Sequence, residues 1–168
     1  MSGASSDCSI AAAIAVAGPV FAQGAQVAFG NMQQTTDAPV EVSADELRVN
    51  QSDGTAVYTG NVVIGQGDMR LSAPRVTVIY VEGQGRIERL EARGGVTLVS
   101  GEEAAEAEEA DYDINGGSIV MRGDVLLTQG ANALMAESMT VDLNAGTAQM
   151  SGRVRTVIDQ GSNADGAN

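Results

Sequence analysis

The stretch GNVVIGQG at residues 60–67 carries a pattern that the chain repeats. It returns as GGVTLVSG at 94–101 and as GDVLLTQG at 123–130, and a shorter GRV follows at 152–154. The first glycines of these stretches are spaced by 34, 29 and 29 residues, and periods of this length are typical of folds built from repeated supersecondary units. The sequence therefore predicts four repeats of about 29 residues.

A second set of positions supports the same period. Alanines at 44, 73, 107 and 136 are spaced by 29, 34 and 29 residues, and a glycine stands ten residues after each of them, at 54, 83, 117 and 146. Both irregular spacings are explained by one five-residue insertion before residue 94. The two sets of positions agree on the number of repeats and on their boundaries.

Each repeat alternates apolar and polar residues. Around the first glycine, Tyr58, Val62 and Ile64 are apolar at a period of two, which is typical of a strand with one buried face. After each repeat alanine the alternation of apolar and polar positions shifts by one residue, which indicates a bulge or a corner. The turns between strands, such as Asp53-Gly54, are too short for a parallel crossover, so the strands should be antiparallel. We predict three or four short strands per repeat and a stack of hairpins over residues 40–158.

The composition argues against a nucleic acid partner. Of 168 residues, 43% are hydrophobic and only 3% are aromatic. The chain has no Lys, so nine Arg alone oppose 22 acidic residues and the net charge is −13. Such a surface repels nucleic acid phosphates and anionic headgroups, so we expect no nucleic acid partner; its simplest role is to keep the protein soluble.

The termini differ from the repeats. Residues 1–22 predict a signal peptide, from a short apolar run at 10–17 and small residues before position 23. No Arg or Lys precedes Arg48, so a different start or a mobile terminus is the alternative. We predict a flexible lead-in at 23–39 and a disordered tail at 159–168. The single cysteine, Cys8, falls in the predicted leader and forms no disulfide.

The residue types argue against catalysis. The chain has no His, its one Cys lacks a base, and it has no phosphate-loop Lys. We therefore predict that it is not an enzyme and that it holds no metal and no cofactor. A run of carboxylates could form a calcium site or a glycosidase pair, but a loop and a strand with outward acids suit it better. Its members are Glu102, Glu103, Glu106, Glu108, Glu109, Asp111 and Asp113.

Four motifs in register resemble the OstA-like family of periplasmic lipopolysaccharide transport proteins, of the LptA type. They are ADELRV at 44–49, YTGNVVIGQG at 58–67, ARGGV at 92–96 and MRGDV at 121–125. The resemblance covers residues 40–158. It implies an all-β fold, a twisted, half-open β-jellyroll of antiparallel strands built from the four hairpin repeats.

The resemblance also implies a function. Members bind the acyl chains of lipopolysaccharide along an apolar groove, and copies join head to tail, strand edge to strand edge. They form a bridge in the periplasm from an inner-membrane partner of LptC type to an outer-membrane partner of LptD type. Physical reasoning agrees, because an open jellyroll leaves edge strands unpaired, and an acidic protein must bind an anionic glycolipid mainly by burying hydrocarbon.

The inner face is accordingly the predicted lipid-binding site, although many of its residues could equally be ordinary core. The predicted residues are Leu47, Val49, Tyr58, Val62, Ile64, Leu71, Val76, Val78, Leu90, Val96, Leu98, Tyr112, Ile119, Met121, Val125, Leu127, Leu134, Met139, Val141, Met150 and Val154.

Two other functions fit parts of the pattern. The period also suits a β-solenoid scaffold without a ligand, which would have parallel coils and a fully filled core. A carboxylate-dependent hydrolase acting on sugars is the third hypothesis. The direction of the strands separates the first alternative from the transport hypothesis.

Overall fold

The computed structural model describes residues 25–28, by their backbone, and residues 38–159. These residues form β-strands and turns. The strands are β1 (Ala25–Ala28), β2 (Glu41–Ser43), β3 (Glu46–Asn50), β4 (Thr55–Gln66), β5 (Met69–Tyr80), β6 (Ile87–Ser100), β7 (Glu103–Asp113), β8 (Ser118–Gln129), β9 (Asn132–Asp142), β10 (Thr147–Ser151) and β11 (Arg155–Val157).

All of the described strands belong to one open sheet. Its order is β1-β10-β9-β8-β7-β6-β5-β4-β2, with β3 also on β4 and β11 also on β9. Each described strand pair is antiparallel. The antiparallel jellyroll predicted from the sequence is confirmed, and the sheet does not close. The solenoid alternative, which predicts parallel coils, is wrong, because tight turns join successive strands and the described pairs are antiparallel.

A line of bulges divides the sheet into two layers. The register of each long strand pair from β4 to β9 shifts in the middle, for example between Thr59 and Val62. We call the half that contains β3, β10 and β1 layer A, the half that contains β2 and β11 layer B, and the line of bulges the crease. Buried apolar residues of both layers form a single core cluster, so the inner faces of the layers pack against each other.

The crease lies at the first glycine of each repeated stretch, which approaches the residue that follows a repeat alanine. At Gly123 the backbone has φ +86°, and at the next residue, Asp124, it has φ +42°. A Cβ at Gly123 would lie 2.7 Å from the Cβ of Glu108 on the neighbouring strand. Since positive φ and this close approach both exclude a side chain, the glycine is required where the strand bends. The same pair of left-handed residues occurs at 60–61, 94–95 and 152–153.

Two predictions about the strands need correction. The six strands from β4 to β9 are long, with 11–14 residues each, where three or four short strands per repeat were predicted. The reason is that a bulge bends a strand without ending its pairing. Within the predicted flexible lead-in, Ala25–Ala28 forms β1 and pairs with β10. Four backbone units can pair with an open edge without a strong side-chain pattern, which explains why the sequence did not indicate this strand.

The ends of the chain are only partly described. The predicted leader at 1–22 lies outside the described residues, as do residues 160–168 of the predicted tail. The strands from β2 to β11 occupy 41–157, within the predicted domain at 40–158. Among the described residues, no helix is long and apolar enough to cross a membrane.

Candidate functional site

The inner face of the jellyroll is the candidate site, and its centre is closely packed. All of the predicted inner-face residues are buried except Leu47, Val49, Tyr58 and Val154. Val62 on layer B and Val76 on layer A, for example, are both fully buried. In this structure the central residues contact one another, which is the filled core that the solenoid hypothesis also predicted. The direction of the strands, not the packing of the core, therefore separates the two.

The N-terminal end of the inner face is open. Leu47 and Val49 on β3 pair with Tyr58 and Ala56 on β4, so their side chains share the inner face with those residues. Ala56 is buried, yet Leu47 is 50% exposed and Val49 64% exposed. The reason is their position: no described strand lies beyond β3. The inner face thus ends in an exposed apolar strip.

Two tyrosines lie beside this strip. Tyr58 and Tyr80 are both half-buried, and burial, followed by the neighbouring Tyr80 hydroxyl, raises the pKa of Tyr58. Next to them, Val49 and Tyr80 help line a cleft of about 520 Å³ between residues 51–54 and residues 82–85. This end of the molecule offers aliphatic and aromatic surface with hydroxyl groups at its margin.

The C-terminal end is open on layer B. Thr156 on β11 pairs with the buried Leu134, so Thr156 lies on the inner face, and Val154 precedes it by two residues. Val154 is 38% exposed, whereas the equivalent Val125 of the preceding repeat is buried. The repeat pattern predicts the face of Val154 but not its exposure, because exposure depends on whether a further strand follows.

One polar chain crosses the interior. The Tyr112 hydroxyl on layer A donates to Gln66 Oε1 on layer B at 2.5 Å, and Gln66 Nε2 donates to the carbonyl of Ala38 at 3.0 Å. Burial, followed by the charge of Asp113, raises the pKa of Tyr112 to about 12. Gln66 was not predicted from the sequence, although its place in the period-two pattern of residues 60–67 could have indicated it. These two hydrogen bonds join the two layers and hold the segment that leads into β2.

The outer face of β7 carries Asp111 between two arginines. Oδ1 of Asp111 lies 2.8 Å from Nη2 of Arg93, and Oδ2 of Asp111 lies 2.7 Å from Nη1 of Arg122. Burial alone would raise the pKa of Asp111, but its hydrogen bonds and ion pairs with the two arginines outweigh burial and lower its pKa.

Except for Glu102, which lies in a turn, the predicted acidic residues belong to β7. The prediction that they face outward is wrong for Glu103, which stands two residues before the buried Ala105 and therefore lies on the inner face. There it accepts a hydrogen bond from Gln129 Nε2 at 3.0 Å. Across residues 38–159 no group of three or more potential ligands could hold a metal ion.

The sequence also matches known proteins. The family model described as "LptA/(LptD N-terminal domain) LPS transport protein" matches residues 41–147. An uncharacterized protein of Rhizobium meliloti (strain 1021) is 31% identical over 127 residues, which cover 67% of this chain and 68% of that protein. The LPS-assembly protein LptD of Pasteurella multocida (strain Pm70) is 36% identical over 80 residues, which are 47% of this chain and 10% of that protein.

The fold matches a solved structure. LptH, described as the LptA homologous periplasmic component of the lipopolysaccharide transport device of Pseudomonas aeruginosa, superposes with a TM-score of 0.67 at 20% identity. The match covers 74% of this chain and 98% of that one. This similarity shows a shared fold, and the family model, which covers most of the strands described above, identifies the family. The chain belongs to the family of LptA and LptD N-terminal domain lipopolysaccharide transport proteins.

Proposed function

We propose that this protein is a non-enzymatic periplasmic carrier that binds the acyl chains of lipopolysaccharide on its inner face. The observation that carries the proposal is the apolar inner face that becomes exposed at Leu47 and Val49. Membership in a lipopolysaccharide transport family and the predicted leader at 1–22 support the ligand and the periplasmic location.

Hydrocarbon burial supplies the affinity. The chain carries a net charge of −13, so its overall field repels an anionic glycolipid. Burial of hydrocarbon contributes about 0.8 kcal/mol per methylene, and about ten methylenes therefore contribute about 8 kcal/mol. This exceeds the cost of bringing exposed, screened charges of the same sign near one another.

Acyl chains enter at an end of the sheet. The central inner-face residues, such as Leu127, are fully buried against the opposite layer, so they contact lipid only when the layers separate. At the N-terminal end, Leu47, Val49 and Tyr58 already present apolar surface without any rearrangement. Lipid therefore binds first at this strip and then extends between the layers.

A matched pair of substitutions tests the entry site. Leu47→Asp places a carboxylate on the inner strip, and Val63→Asp places one on the outer face of β4, where Val63 is 38% exposed. Both variants add one negative charge at an exposed apolar position. We expect Leu47→Asp to weaken binding of lipopolysaccharide about tenfold or more, because a charge resists transfer into hydrocarbon, and Val63→Asp to change it less than twofold. Equal effects of the two variants would refute the entry site.

We further propose that copies join head to tail and connect an LptC-type inner-membrane partner with an LptD-type outer-membrane partner. In the described residues, no strand pairs with the outer edges of β2, β3 and β11. An unpaired edge presents backbone donors and acceptors that can add a strand from another chain. The two ends of one sheet therefore provide two different, complementary docking edges.

Crosslinking tests the polarity of this assembly. Ser43→Cys labels the β2 edge and Val157→Cys labels the β11 edge, both at exposed positions of layer B, in a background with Cys8→Ser. Head-to-tail assembly predicts that a short bismaleimide joins the two variants when they are mixed and joins neither variant to itself. Efficient crosslinking of Ser43→Cys to itself would instead indicate head-to-head pairing.

A further inference from the structure

The two ends of the sheet differ in one respect: a strand of the same chain already occupies part of the C-terminal end. β1 pairs with the outer edge of β10 in layer A. At the N-terminal end, β3 is the last strand of layer A among the described residues. Head-to-tail pairing along the whole C-terminal edge, β10 included, therefore requires that β1 leave β10.

β1 lies on β10 as the layer A half of β5 lies on β4, on the edge away from the strand that precedes it in the chain. Both pairs are antiparallel, and β1, β5 and β3 all run from the crease towards the tip of layer A. In the register, Ala25 is opposite Met150 and Val27 is opposite Ala148. These pairs correspond to Val76 opposite Tyr58 and Val78 opposite Ala56.

The correspondence follows from the internal repeat. Met150 precedes its crease glycine, Gly152, by two residues, as Tyr58 precedes Gly60. The sequence of β1, AQVA, is therefore aligned by position with residues 76–79 of β5. Leu47 and Val76 each follow a repeat alanine by three residues, so the same positions are LRVN at 47–50 in β3, the edge strand of a second copy. The first position of this alignment holds alanine in β1 and leucine in β3. β1 is thus a smaller version of the strand that a second copy would bring.

We propose that β1 is a placeholder strand, which occupies the β10 edge until β3 of a second copy of this chain displaces it. The inference rests on the head-to-tail assembly proposed above. Because β1 belongs to the same chain, it competes at an effective concentration on the order of millimolar. The incoming β3 wins by burying Leu47 and Val49, which are half or more exposed in the single copy. Assembly therefore depends on protein concentration and resists premature pairing of the edge.

Substitutions in β1 of the full chain test the proposal. Val27→Pro removes a backbone donor and opposes strand pairing, whereas Val27→Thr keeps a residue that favours strands. If β1 holds the edge for about nine-tenths of the time, its release lowers the dissociation constant for self-assembly about tenfold. Sedimentation at a series of concentrations should show this shift for Val27→Pro and less than a twofold shift for Val27→Thr.

A reversible lock gives the opposite change. Gln26 and Gln149 are directly opposite in the register, so Gln26→Cys with Gln149→Cys, in a background with Cys8→Ser, can form a disulfide between adjacent antiparallel strands. We expect the oxidised protein to stay monomeric and the reduced protein to assemble like the unmodified chain.

The outcomes distinguish the placeholder proposal from the head-to-tail assembly on which it rests. Assembly that is the same in oxidised and reduced protein, or in the two Val27 variants, would overturn the placeholder and leave head-to-tail pairing intact. If no form assembles, Val27→Pro included, head-to-tail pairing fails and the placeholder fails with it.

Discussion

The crease glycines provide a quantitative test of why the repeat has its sequence. Gly123→Ala forces a residue with a Cβ to adopt φ +86°, which costs about 1–2 kcal/mol for a residue other than glycine. It also places the new Cβ 2.7 Å from the Cβ of Glu108, and relief of such overpacking costs a further 1–3 kcal/mol or so. The expected loss in the free energy of unfolding is therefore about 2–5 kcal/mol.

A second glycine serves as the control. Gly130 has φ +58°, and a Cβ added there would have nothing within 4 Å, so Gly130→Ala should cost only the backbone contribution of about 1–2 kcal/mol. Urea unfolding of both variants measures the difference. In the double variant Gly123→Ala with Glu108→Ala, part of the loss should return, since only the Cβ of residue 108 would remain near the new methyl group. Equal losses for Gly123→Ala and Gly130→Ala would refute the account of the crease.

Three further substitutions test the interior and the outer face. Tyr112→Phe removes the hydroxyl that donates to Gln66 across the layers, and we expect a loss of about 1–3 kcal/mol in urea unfolding. Asp111→Asn should lower the free energy of unfolding near neutral pH. The difference in this free energy between the variant and the unmodified protein should shrink as the pH falls below 3.8, because the arginines hold the pKa of Asp111 below that value and protonation ends its ion pairs. A difference that stays constant down to pH 2 would contradict this. Leu127→Ala should lower the free energy of unfolding by about 2–5 kcal/mol, whereas Leu47→Ala, at an exposed site, should change it by less than about 0.5 kcal/mol yet weaken lipid binding.

Much of the fold follows from local sequence patterns. Alternation of apolar and polar residues assigns the strands, and its shift by one residue places the bulges, since both depend on neighbours within a few residues. Gly60 and Gly123 could be recognised because a left-handed bend that touches the next strand excludes other residues. The antiparallel direction follows from the short turns.

The missed features depend on distant partners. β1 pairs with a strand more than 110 residues away, and no local pattern indicates such a partner. Gln66 resembles an ordinary polar residue near a turn until Tyr112 and Ala38 are placed beside it. Val154 has the inner-face pattern of its repeat but is exposed, because burial depends on which strands follow at the end of the sheet.

Photo-crosslinking at both ends of the sheet tests the central claim most directly. A benzophenone side chain is placed at Leu47 and Val154 on the inner face and, as outward controls, at Arg48 and Val63. The proposed function predicts adducts with the acyl chains of lipopolysaccharide from Leu47 and Val154 and none above background from Arg48 and Val63. Equal adducts from all four positions, or none from the inner pair, would contradict lipid binding on the inner face.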